Sequence, residues 1–165
     1  MTEKQQAITS CVNMAINQFN FKEKYLISRD LSERCICAKF MRYLEDEIAN
    51  SQFQKYTVDV EYNRGNQGNE YASKRLNGRN IVVDLIVHKR GYSKIKGFQN
   101  LICIEMKKTK NHPDMTQDKQ RLEIMTDSKY GFGYSAGFMI VADADKRRNM
   151  CELRIETSFY NREIN

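Results

Sequence analysis

Apolar residues recur along this chain at two different periods, and the two periods divide it into elements. Near the start, Ile8, Val12, Ala15, Ile16 and Phe19 keep close to helical spacing, which predicts a helix over residues 3–18. A stronger stripe of Cys37, Phe40, Met41, Leu44 and Ile48 predicts a second helix over 31–49. Asp30, with Glu33 three residues on, reads as a capping box at its start. "YTVDVEYN" (56–63) alternates as a strand does, and the polar, glycine-rich "NRGNQGNEYASKRLNGRN" after it reads as a mobile loop. "IVVDLIVHK" (81–89) is a β-branched run and predicts a strand. A turn, "RGYSKIKGFQN", leads to another strand over 100–107. "KNHPDMTQDKQRLEIMTD" holds a loop and a helix over 114–126, "SAGFMIVAD" (135–143) a buried strand, and "MCELRIETS" (150–158) an alternating edge strand. The order α–α–β–β–β–α–β–β, with central strands apolar almost throughout, predicts an α/β fold. One domain over residues 1–165 would carry a mixed sheet flanked by helices.

Three charges break this pattern. The strand "NLICIEMKK" ends with Glu105 and Lys107 two apart, so both side chains leave on one face, roughly 6 to 7 Å apart. Ile102, Ile104 and Met106 take the other face. Asp84 interrupts "IVVDLIVH" where an aliphatic residue would fit, and shares a face with Val82, Ile86 and His88. If the two strands are neighbours, Asp84 lies beside Glu105. Two carboxylates about 4 to 5 Å apart repel by roughly 3 to 4 kcal/mol at an effective dielectric near 20. A cation removes the conflict. Mg²⁺, with Mn²⁺ as a substitute, suits one or two carboxylates completed by waters and substrate phosphates. The main-chain carbonyl of Met106 offers another hard oxygen. Lys107 could then hold an attacking water or neutralise charge growing on a phosphate. Glu33 stands in register with Cys37, Phe40 and Leu44, so it either points toward the sheet or serves only as the capping residue.

Asp84, followed after twenty residues by Glu105-Met106-Lys107 on consecutive strands between two helices, resembles the PD-(D/E)XK (restriction endonuclease-like) nuclease superfamily. "SERCICAKFMRYLEDE", "VEYNR", "VVDLIVHKRG" and "NLICIEMKK" are also similar to a group of small stand-alone, largely uncharacterised bacterial proteins of that fold. The resemblance implies an αβββαβ core over residues 31–142, with an added N-terminal helix and C-terminal strand. It implies a metal-dependent phosphodiester hydrolase. Asp84 and Glu105 become ligands for Mg²⁺, Lys107 the catalytic lysine, and Glu33 the acid of the first core helix. Val83 stands where the superfamily pattern often has proline. A non-catalytic nucleic-acid-binding or regulatory module on the same fold is the alternative, and a structural ion-pair network the plainest one.

Charge distribution bears on the partner. The net charge is +6, but residues 74–110 alone carry +8, leaving −2 elsewhere. A basic concentration around the two strands suits a polyanion, so nucleic acid is expected, DNA favoured over RNA. Arg64, Lys89, Arg90, Lys94, Lys96 and Lys108 are the candidate phosphate contacts. A solvated lysine-rich surface has the same composition. Glu61, Tyr62 and Asn63 end the first strand, and a salt bridge there competes with a role for Glu61 at the site. Asp118 and Arg121 read as a solvated helix face, with a place facing the site as the alternative, and Tyr130, Phe132 and Tyr134 as core and turn residues. The five cysteines and two histidines show no zinc-ligand spacing, which points to reduced thiols and a cytoplasmic protein. No apolar run reaches the length of a membrane span, and the N-terminus reads as a helix rather than a signal peptide. A homodimer would suit a double-strand cutter.

Overall fold

The capping chemistry at the two N-terminal helices decides where they begin. Thr2 and Gln5 close a reciprocal capping box, and α1 runs over Glu3–Lys22, four residues past its expected end. A short α2 (Lys24–Ser28) follows. At α3 (Glu33–Ala49) the N-cap is Ser32, whose hydroxyl accepts from the Cys35 backbone. The Asp30–Glu33 capping box is therefore corrected. Asp30 takes a left-handed φ of 58° two residues before the cap, and Glu33 opens the helix with its side chain free for other work. The structure is a computed structural model that describes residues 1–67, 70–76, 78–91, 99–109, 114–130, 132–145 and 150–162.

Five strands form one mixed sheet. β1 (Thr57–Val60) is an edge; β6 (Leu85–His88) lies next to it, then β7 (Asn100–Lys108), β8 (Ala136–Asp145) and the far edge, β9 (Met150–Tyr160). Among the described residues only the β7–β8 pair is parallel, joined by a crossover through α4 (Thr116–Thr126). The expected α/β class, mixed sheet and β9 edge are all observed. α1 and α3 cover one face, where Ile36, Phe40, Leu44 and Ile48 meet Leu85, Val87, Ile102, Ile104 and Phe138. α4 covers the other, where Leu122 and Met125 meet Ile86, Cys103 and Met139. Its approach depends on Gly137 of β8. A Cβ there would stand 3.1 Å from Thr126 Cγ2 and 3.2 Å from Cys103 Sγ.

The polar segment expected as a mobile loop is instead built from two hairpins. β2 (Arg64–Gln67) pairs with β3 (Glu70–Ser73), and β4 (Arg75–Leu76) with β5 (Arg79–Asn80). Main-chain pairing makes these ribbons without apolar alternation, so their sequence carries no strand signal. Between them Lys74 is fully buried, its ammonium bonded to the Tyr134 hydroxyl and lying 5.1 Å over that ring and 6.0 Å over Tyr62. Burial lowers its pKa to about 8, against smaller opposing effects of Cys103 and Asp59. The unfolded chain thus binds more protons than the folded one between about pH 8 and 10.5, and stability should rise with pH across that window. Replacing Lys74 with methionine removes this slope. The stability difference, variant minus wild type, is expected to shrink by about 2 kcal/mol between pH 7 and pH 10. Urea denaturation at the two pH values checks it.

Candidate metal and catalytic site

Backbone geometry at the end of the sheet brings the charged residues together. β1 stops at Val60 because Glu61 adopts a left-handed φ of 48°. β6 starts only at Leu85, later than the run "IVVDLIVHK" predicts, because the ladder gives way to side-chain bonding there. The Asp84 carbonyl accepts from Glu61 N at 3.0 Å, and its Oδ2 accepts from Met106 N at 2.8 Å. The Asp84 carboxylate thus takes the place of a strand partner for Met106, which fixes it against β7. An extended residue presents its N–H and C=O to the same edge, so the Met106 carbonyl also opens toward Asp84.

Glu105 is next to it, only 3 % exposed and facing α4. Burial raises its pKa to about 9. Arg121 pulls it down, while the charges of Asp84 and Asp118 add to the rise. Arg121 Nε stands 2.6 Å from Glu105 Oε1, yet the N–H is not directed at the oxygen, and neither atom has a hydrogen bond. The guanidinium also binds Asp118 and reaches the Val82 carbonyl at 3.4 Å. Lys107 bridges two elements, with Nζ 3.3 Å from Glu33 Oε1 on α3 and 3.6 Å from Asp118 Oδ2 on α4. Burial lowers its pKa, but Glu33 and Asp118 outweigh burial and leave it above the usual lysine value. Lys107 is therefore a fixed ammonium at neutral pH rather than a proton acceptor.

Six side chains form this connected set. Glu33, Asp84, Glu105 and Asp118 are acidic; Lys107 and Arg121 are basic. With every group ionised, the set is short of two positive charges, the charge of one divalent ion. The donors fit such an ion: two adjacent carboxylates, a main-chain carbonyl on the same edge, and a buried carboxylate oxygen that lacks a hydrogen bond. Among the described residues no three His, Cys, Asp or Glu side chains converge to cage a metal by themselves. That donor set suits a hard ion completed by waters and phosphate rather than structural zinc.

The other sequence candidates fall in different places. Lys108 anchors the segment before α3. Its backbone N–H donates to Glu33 Oε2 at 3.2 Å and its Nζ to Leu31 O at 2.9 Å, with Asp30 Oδ1 at 2.6 Å. Lys89 and Arg90 follow the opposite end of β6 from Asp84, about 16 Å along the strand at ~3.3 Å per residue. Arg90 pairs there with Asp59, and Lys89 stands 4.9 Å over the Tyr56 ring. The structure thus does not gather these two at the carboxylates. Arg64 pairs through its backbone with Ser73 in the β2–β3 ribbon, and Lys94 and Lys96 lie outside the described residues. His88 is buried, bonded to Asp59 Oδ2 at 2.8 Å, and Glu61 makes a 3.1 Å salt bridge to Arg34.

Asp118 and Arg121 take the alternative reading rather than the favoured solvated face. Asp118 is buried, and both residues face the site rather than solvent. A signal was available: Asp118 leads Leu122, and Arg121 leads Met125, by one helical turn on the buried stripe of α4. A cleft lined by Glu33, Cys37, Glu61 and Asp84 opens beside the carboxylates. The larger groove lies elsewhere, between Thr2 and Gln5 of the N-terminus, Asp127 and Asn161, and holds none of the six. All five cysteines are free thiols, and no described helix is long and apolar enough to cross a membrane. Comparison with protein-family models, with curated proteins and with solved structures gave no match.

Proposed function

We propose that this protein hydrolyses phosphodiester bonds in nucleic acid, DNA in preference to RNA, at a divalent-metal site built on Asp84 and Glu105. The observation that carries the reading is the buried Glu105 carboxylate, with an oxygen lacking a hydrogen bond, beside Asp84 and two residues from Lys107. The sheet supports it. The run α3, β1, β6, β7, α4, β8 has the order αβββαβ of the PD-(D/E)XK nucleases, with the hairpins inserted between the first two core strands.

Asp84, Glu105 and the Met106 carbonyl would hold Mg²⁺, or Mn²⁺ in its place. When bound, such an ion supplies polarisation of a phosphoryl oxygen and acidification of a water. The chain's own residues supply position and charge. Lys107, kept protonated and aimed by Glu33 and Asp118, stabilises negative charge on the phosphoryl oxygens or orients the attacking water. Arg75 and Arg79, exposed on the β4–β5 hairpin, offer phosphate contacts. Their segment rejoins the sheet at Asp84, no more than five residues beyond Arg79.

The test is incubation of the purified protein with plasmid, single-stranded DNA and RNA, with Mg²⁺ and with a chelator. Cleavage in Mg²⁺ that the chelator stops is the expected result. Binding without cleavage in either Mg²⁺ or Mn²⁺ would replace this reading with a non-catalytic nucleic-acid-binding module.

A further inference from the structure

We propose that Arg121 is a resident cation guarding the carboxyl pair: already bonded to Asp118, its guanidinium also covers the Glu105 oxygen that a divalent ion takes, and it withdraws onto Asp118 alone when that ion binds. The inference rests on the reading of Asp84 and Glu105 as a metal site. It assigns to α4 a control over access to that site.

The geometry of the guanidinium is the reason. A structural arginine–carboxylate pair uses the planar fork for two parallel, well-directed hydrogen bonds. Here the fork is given to Asp118 and the Val82 carbonyl, and only the Nε edge meets Glu105. That contact is close, at 2.6 Å, yet misdirected, and leaves Glu105 Oε1 and Arg121 Nε without a hydrogen bond. Arg121 therefore contributes charge to Glu105 without satisfying it. It also has a second residence, because Asp118 and Val82 retain it when Glu105 is taken. The arginine side chain is 33 % exposed, which leaves it room to turn, whereas Glu105 is enclosed. Arg121 and Lys107 already share Asp118, so that carboxylate can keep both cations when Glu105 is taken.

Competition for one carboxylate has a required sign. Removing the resident cation must tighten metal binding, and the metal must alter the surroundings of the arginine. Mn²⁺ titrations by calorimetry on the wild type, Arg121→Gln, Arg121→Lys and Glu105→Ala test the first part. Arg121→Gln is expected to bind roughly tenfold more tightly than wild type, with Arg121→Lys between the two. The second part is read by nitrogen-15 NMR. The Arg121 Nε–H resonance, identified by its absence from Arg121→Lys, should shift on adding Mg²⁺ to the wild type and stay fixed in Asp84→Ala. On metal binding the resonance should move toward its position in metal-free Glu105→Ala, where the guanidinium has lost that partner, and this match decides the matter alone if Arg121→Gln fails to fold. Unchanged or weaker Mn²⁺ binding by a folded Arg121→Gln, or a resonance that ignores Mg²⁺, would overturn the inference while loss of binding in Glu105→Ala upheld the metal site. Binding that persists in Glu105→Ala, or is absent from every protein, would overturn the metal site and this inference together.

Discussion

Replacing Glu105 with glutamine is expected to stabilise the metal-free protein and to abolish its affinity for divalent ions. The folded state holds the Glu105 proton up to about pH 9, whereas an unfolded glutamate releases it near 4.5. Between those values the folded chain binds more protons, so this residue lowers stability as pH rises, by up to about 1.4 kcal/mol per pH unit. Glutamine matches the neutral carboxyl in size and carries no such slope. At pH 7 the variant should be more stable by about 2 to 3 kcal/mol, and the gap should widen toward pH 9. Urea denaturation across pH measures the gain, and Mn²⁺ calorimetry the loss. A structural role for Glu105 gives the opposite result, since breaking a buried ion pair destabilises by about 3 to 5 kcal/mol. With the predicted gain and loss together, Glu105 is a case of stability given up for a site.

Lys107→Ala should remove catalysis and leave the metal. The ammonium contacts Glu33 and Asp118, not the Asp84–Glu105 pair. Its loss costs a positioned charge at the reacting phosphate, for which a fall of about 10² to 10³ in rate is the expected scale. Mn²⁺ affinity should not weaken, because one cation has been taken from an acidic cluster. Cleavage at the wild-type rate would remove Lys107 from the mechanism. Loss of metal binding in a folded variant would make it a structural residue of the cluster.

The parts of this site that were legible in the sequence are those written into strand alternation. Glu105 and Lys107 had to share a face, and Asp84 had to oppose an aliphatic pattern, so an unpaired carboxylate in an apolar strand was visible without coordinates. Glu33 was half legible. Its register with Cys37 and Phe40 pointed it at the sheet, but the cap belongs to Ser32, and the left-handed turn at Asp30 left no pattern in composition. Asp118 and Arg121 were half legible: their register with Leu122 and Met125 put them on the buried stripe, but a charged pair one turn apart is also the commonest look of a solvated helix face, and the packing of α4 against Gly137 decides between the two. Lys74 was hidden for a related reason. A lysine among glycines and asparagines signals exposure, and its burial depends on Tyr62 and Tyr134 supplying ring faces from distant parts of the chain. The basic cluster near residue 90 was visible, but its distance from Asp84 depends on strand direction, which composition does not carry.

The most direct measurement is a calorimetric titration of Mn²⁺ into the wild type, Asp84→Ala and Glu105→Ala, each with and without a short oligonucleotide. A metal site on these two carboxylates predicts binding in the wild type that both variants lose. Binding that survives in both variants, or no binding in the wild type with the oligonucleotide present, would contradict it.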